Sequence, residues 1–205
     1  FATTTAQAAT ATLPTSLAGV SVQLSGVGAV HAALINYVNP TQINAFVPHE
    51  LSTTLFGDKS AQLTITTGTG SVSAPVDCQS LSPGLFSYGP SKYAAAVFPD
   101  GAIVGTTPGT RPASAGSVIS LYGTGLGQTV PSVTAVNGAI TPHLLAAEAV
   151  VKIGGQPVKV TWAGLVGIGL YQLNIEVPAT LGPGDYATSV LVQGVESPTV
   201  QLPVR

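Results

Sequence analysis

Gln172-Leu173-Asn174-Ile175-Glu176-Val177-Pro178 alternates apolar and polar side chains with a period of two and ends on proline. That is the pattern of a half-buried strand and its stop. The same pattern stands 130 positions earlier as Gln42-Ile43-Asn44-Ala45-Phe46-Val47-Pro48, and Leu51 and Leu181 follow at the same spacing. Upstream, Val22, Leu24 and Gly26 answer Val151, Ile153 and Gly155. Downstream, Gly68, Ser73 and Pro75 loosely answer Gly194, Ser197 and Pro198. Ordered matches on both sides of one motif predict two copies of one fold. Gln42, Asn44 and Pro48, with Gln172, Asn174 and Pro178, are the structural residues of this repeat.

The rest of the chain reads the same way. Val20–Leu24, Gln62–Thr66, Val118–Tyr122, Val150–Ile153 and Ser189–Gln193 alternate and are bounded by Gly, Pro, Asn or Asp. Pro99-Asp100-Gly101 between two apolar runs predicts a tight hairpin, because Asp-Gly tolerates positive φ. His143–Glu148 is the one stretch expected to form a short helical turn. Many short strands at close spacing predict an all-β chain of two tandem immunoglobulin-like sandwiches. Punctuation at Leu81-Ser82-Pro83-Gly84 divides it. Residues 1–12 form an N-terminal extended segment, 13–82 a first sandwich, and 83–205 a second.

The two copies are unequal. Before its half of the repeat the second copy has the extra strand runs Leu85–Tyr88, Ala94–Phe98, Ile103–Thr106 and Val118–Tyr122, whereas the first has only Phe1–Pro14. The first sandwich is therefore expected to lack an N-terminal strand, which leaves an apolar groove and unpaired edges.

Composition narrows the function. Of 205 residues only 7% are charged, against about 25% in ordinary domains, and net charge is −2. A nucleic-acid partner is excluded for want of a basic surface. Mean hydropathy is +0.45, but Val160–Ile175, the longest apolar candidate, is broken by glycines, Gln172 and Asn174. No span of the roughly 20 apolar residues a membrane helix needs is present. The chain holds no Met, so Phe1 is read as the start of a processed or excerpted chain, with any signal peptide already removed. The single cysteine, Cys78, is expected to be a small buried hydrophobe.

Over Tyr37–Asn44, Val47-Pro48, Ser82–Phe86, Gly116–Gly127, Ala163–Leu165 and Gly169–Asn174 the chain resembles the Solibacter-type C-terminal module of uncharacterised secreted acidobacterial proteins. The resemblance runs from Leu13 to Arg205. It implies a secreted, repeat-built tandem of immunoglobulin-like sandwiches and brings no catalytic residues. The family pattern has a further strand before the position of Leu13, where this chain has only its extended segment.

Sites for chemistry are few. Gly123-Thr124-Gly125-Leu126-Gly127 follows a strand but leads into Gln128–Pro131, which opens no helix to hold a phosphate. It reads as a tight strand exit. His31, His49 and His143 lack metal-ligand spacing, the acids stand singly, and no nucleophile elbow is present. No cofactor, metal or catalytic set is expected. Trp162, Tyr171, Tyr122 and Tyr186 suggest a sugar-stacking platform, but Trp162 and Tyr171 fall in the repeat core, where rings usually fill the space between sheets. Lys152 and Lys159 are read as exposed lysines rather than partners of a Lys–Asn crosslink. Asn39-Pro40-Thr41 is a sequon that proline blocks. Thr3, Thr4, Thr5, Thr10 and Thr12 are acceptors for O-linked sugar in a secreted setting.

Two functions follow. In the first, the chain is a subunit of an extracellular filament. A strand from a neighbouring copy completes each first sandwich, with Phe1, Ala2, Thr3, Thr4, Thr5, Ala6, Gln7, Ala8, Ala9 and Thr10 as the candidate inter-subunit strand. In the second, it is an adhesive or carbohydrate-binding module cut from a larger secreted protein.

Overall fold

The computed structural model describes residues 1–9, 12–26, 29–47, 59–131 and 141–205. Those residues are all-β, with several multi-stranded sheets and no helix. They form two compact units, residues 1–80 and residues 81–131 with 141–205.

In the first unit, β1 (Ala6–Gln7), β5 (Leu34–Val38) and β6 (Ile43–Phe46) make one sheet in the order β1-β5-β6. The other sheet runs β2 (Ser16–Leu17), β3 (Val20–Gly26), β7 (Lys59–Thr67), β8 (Gly70–Cys78), and β4 (Ala29–Ala32) also pairs with β3. Alternation places Val20, Val22 and Leu24 of β3 inward, where they meet Ile35 and Val38 of β5 in one buried cluster with Ala2, Ala33 and Ala61. Two sheets closing on one apolar layer is a sandwich arrangement. Cys78 is half-buried against this cluster.

The second unit repeats this layout and adds to it. One sheet holds β18 (Ala149–Ile153), β19 (Gln156–Val158), β22 (Gly184–Val192) and β24 (Val200–Val204). It continues from β24 to β11 (Tyr93–Ala94) and β10 (Ser87–Tyr88), and β23 (Val195–Glu196) pairs with β22. The other sheet centres on β15 (Val118–Thr124), β21 (Leu170–Glu176) and β20 (Val160–Gly167). Beyond β20 lie β17 (His143–Leu145) and β16 (Thr129–Val130). Beyond β15 lie β12 (Ala96–Val97), β13 (Ile103–Val104) and β14 (Thr110–Arg111), and β9 (Gly84–Leu85) also pairs with β15. Ile119, Leu121, Ile153, Leu173, Ile175 and Leu202 are fully buried between the sheets.

Several sequence expectations are met. The Asp100-Gly101 turn joins β12 to β13 with Gly101 at φ 83°. The glycine-rich run turns out of β15 toward strand β16 and opens no helix. Gly125 sits at φ 69°, and a Cβ there would overlap the Ser82 carbonyl oxygen. One expectation is overturned: His143–Leu145 is strand β17, not a helical turn. Its backbone pairs with Gly164 and Leu165 of β20, a long-range partner that local pattern does not reveal.

Candidate strand-docking site

The matched motifs occupy matched places with different surroundings. In the second unit β21 lies between β20 and β15. Its inward residues Leu173 and Ile175 are 0% exposed, covered by Leu121 and Ile119 at the same register positions. In the first unit β6 pairs with β5 on one side, and no described strand lies on the other. The counterparts follow suit: Ile43 is only half-buried and Ala45 is exposed.

The equivalence of the two hairpins goes beyond the sequence motif. A bulge separates Ile35 from Tyr37 in β5, and one separates Val160 from Trp162 in β20. After the bulge Tyr37 faces Asn44, as Trp162 faces Asn174. β5 thus stands for β20, β6 for β21, β3 for β18, β7 for β22 and β8 for β24. Among the described residues the first unit has no counterpart of β15 or β11. The second vacancy lies on β8, a nine-residue strand exposed along most of its length. In the second unit β24 is flanked by β11, and Gln201 N donates to Lys92 O at 2.9 Å.

On the outer face, both copies build one polar device. Gln172 Nε2 donates to Asn174 Oδ1 at 2.7 Å, and Ser120 Oγ of β15 donates to the same oxygen at 2.8 Å. Gln42 Nε2 likewise donates to Asn44 Oδ1 at 2.6 Å. The β5–β6 turn is fixed by Asn39, whose Oδ1 accepts from Thr41 N at 2.8 Å and Gln42 N at 2.6 Å. Asn39 N donates to Gln42 O, so the backbone groups of Gln42 face β5. By strand alternation those of Ile43 and Ala45 face the open edge. Pro48 of the motif lies outside the described residues, whereas Pro178 follows β21 and its carbonyl accepts from Leu181 N at 3.1 Å.

The candidate inter-subunit segment is placed in its own chain. Ala6 and Gln7 pair antiparallel with Val38 and Tyr37. Ala2 N donates to Asn39 O, Ala8 N donates to Asn36 O, and Ala2 is buried in the first core. This is the edge of β5 away from β6. Phe1, Thr3, Thr4 and Thr5 are exposed, Ala9 is exposed, and Thr10 lies outside the described residues.

Other candidates come apart. Trp162, expected in the core, is half-buried on the outer face. Its ring carbons would lie 2.8 Å from a Cβ at Gly164, so the glycine makes room for the ring. The bulge before Trp162 sets this facing, and a simple period-two count misses it. Tyr171 packs inward and its hydroxyl donates to Gly127 O at 2.5 Å; burial raises its pKa. Tyr186 packs inward from the other sheet. Tyr122 shares the outer face with Trp162, so the four rings form no single platform. Lys152 pairs with Glu196 at 2.9 Å, and Lys159 is exposed near Glu176 at 3.6 Å. His143 Nδ1 meets Pro131 O at 3.0 Å, and His49 lies outside the described residues. Among the described residues no three His, Cys, Asp or Glu side chains are placed to hold a metal, and no helix is long and apolar enough to cross a membrane.

A signal for the open edge was present in the sequence in a form that motif matching overlooks. Residues 1–49 contain no Asp, Glu, Lys or Arg, so β6 lacks the charges that guard exposed edges. Compared with known proteins, the chain matches no family model, and no curated protein aligns with it significantly.

Proposed function

We propose that the chain is a structural subunit of a secreted filament at the cell surface, built by strand complementation between copies. On this reading both units are immunoglobulin-like sandwiches of the Solibacter-type module, and the first lacks its early strands. No catalysis or cofactor enters. The observation that carries the reading is the contrast between β21, covered by β15, and β6, which no described strand covers at the same place. An uncharged open edge is a liability in a monomer and a joint in a polymer. Strand addition supplies main-chain hydrogen bonds for affinity, and a head-to-tail contact of this kind extends into a fibre unless its rotation closes. Negative-stain microscopy and native mass of the intact chain test this. Regular fibres that vanish when residues 1–12 are deleted support it. A strict monomer, or intact fibres from the deletion, overturns it.

A second reading has one observation in its favour. Trp162 lines an open groove of about 660 Å³ with Leu144, Val158 and Lys159. A half-buried ring in a groove suits a sugar face. A monomer whose Trp162 fluorescence shifts on adding oligosaccharide supports a carbohydrate-binding module of a longer secreted protein.

A further inference from the structure

We infer that the edge of β6 that no described strand covers is a groove for the N-terminal arm of a second copy, with Asn44 setting the register by accepting a hydrogen bond from a hydroxyl of the incoming strand. This rests on the polymer reading for the source of the strand; the groove and its chemistry come from the second unit. There, β15 shows what the groove takes. Ile119 faces Ile175, Ser120 faces Asn174 and Leu121 faces Leu173, antiparallel. The triplet is apolar, hydroxyl, apolar: two side chains close the core while the hydroxyl meets the asparagine on the outer face.

The first unit is set up for the same triplet. Ala45 and Ile43 stand open where Ile175 and Leu173 are covered. Asn44 Oδ1 already receives Gln42 Nε2, and an amide oxygen has a second lone pair. In the second unit that place is taken by Ser120. Of the two vacant edges, β6 suits docking better. β8 carries Pro75, which cannot donate to a ladder, and Asp77, a charge on the edge. β6, Ile-Asn-Ala-Phe, carries neither.

The arm fits the role in composition. Its sequence carries the alternation Ala9-Thr10-Ala11-Thr12-Leu13, which supplies the apolar–hydroxyl–apolar triplet. In its own chain the arm pairs with β5 at Ala6 and Gln7 and adds backbone hydrogen bonds at Ala2 and Ala8, so docking on another copy exchanges these contacts for those of β6. β5 lies between β1 and β6, so an arm seated at home is about 10 Å from β6 and on the opposite edge of the sheet. An N-terminal arm that fills β6 therefore comes from another molecule. Antiparallel docking that sets Thr10 opposite Asn44 brings Ala9 against Ala45, Ala11 against Ile43 and Thr12 against Gln42.

The test uses the intact chain, diluted until it is unassembled so that its groove is not already filled by a neighbour, and a fluorescent synthetic peptide copying Gln7–Pro14. Saturable binding is expected by anisotropy. A peptide carrying Thr10→Val should bind roughly fivefold more weakly, the worth of one neutral hydrogen bond. Asn44→Ala, at an exposed position, should bind both peptides equally. No saturable binding, or the same Thr/Val ratio on the intact chain and on Asn44→Ala, overturns the site. Microscopy separates this from the polymer reading. Discrimination without fibres removes the polymer and keeps the groove, whereas fibres without discrimination remove the groove and keep the polymer.

Discussion

Ile43→Ala and Leu173→Ala are the same perturbation at matched positions, and the structure sets their costs apart. Leu173 is 0% exposed and held between β15 and β20, so truncation leaves a cavity that cannot collapse. Buried leucine truncations cost about 2–5 kcal/mol, and this site belongs in the upper half of that range. Ile43 is half-buried with a described strand on one side only. Water fills the open side, little cavity forms, and the cost falls to about 1–2 kcal/mol. Urea unfolding read by hydrogen-exchange mass spectrometry resolves the two units through their own peptides. In the unassembled chain Leu173→Ala should lower the opening free energy of the second unit by at least twice what Ile43→Ala takes from the first. In assembled material the Ile43→Ala loss should grow toward that of Leu173→Ala. Equal losses in the unassembled chain would show that β6 is already covered, and the case for an open edge would fail.

Other consequences follow from single contacts. Gly125→Ala puts a side chain at φ 69° against the Ser82 carbonyl, so it should cost about 1–3 kcal/mol or more by denaturant midpoint. Asn174→Ala strips the acceptor from both Ser120 and Gln172 and should cost about 1–2 kcal/mol, whereas Asn44→Ala in the unassembled chain should stay within about 0.5 kcal/mol. Glu196 accepts from Ser189 Oγ at 2.6 Å and from Lys152 at 2.9 Å, which hold its carboxyl below the ordinary range. The folded pKa is depressed, so this contribution is complete above the unfolded value, near about 4.3, and is lost as pH falls through the folded one. Thermal melts of Glu196→Gln should accordingly lose less stability on acidification than those of the parent chain.

Much of the fold could be read from the chain alone. Period-two alternation in Val20–Leu24, Val118–Tyr122 and Leu173–Val177 is a local property, because successive side chains of a strand must face opposite ways. The repeat at Gln42 and Gln172 likewise needs no coordinates. Where local pattern met a long-range partner it gave out. His143–Leu145 is a strand because β20 offers it an edge, and Trp162 turns outward because a bulge shifts the count by one. The inequality of the two copies was also legible, as extra strand runs ahead of the second copy where the first has only Phe1–Pro14. What the sequence could not supply was the address of the vacancy. Edges belong to sheets, and a sheet joins residues far apart in the chain. Only the tertiary structure shows that the arm lies on β5, that no described strand covers the outer edges of β6 and β8, and that Asn44 holds an acceptor where Asn174 has found its serine.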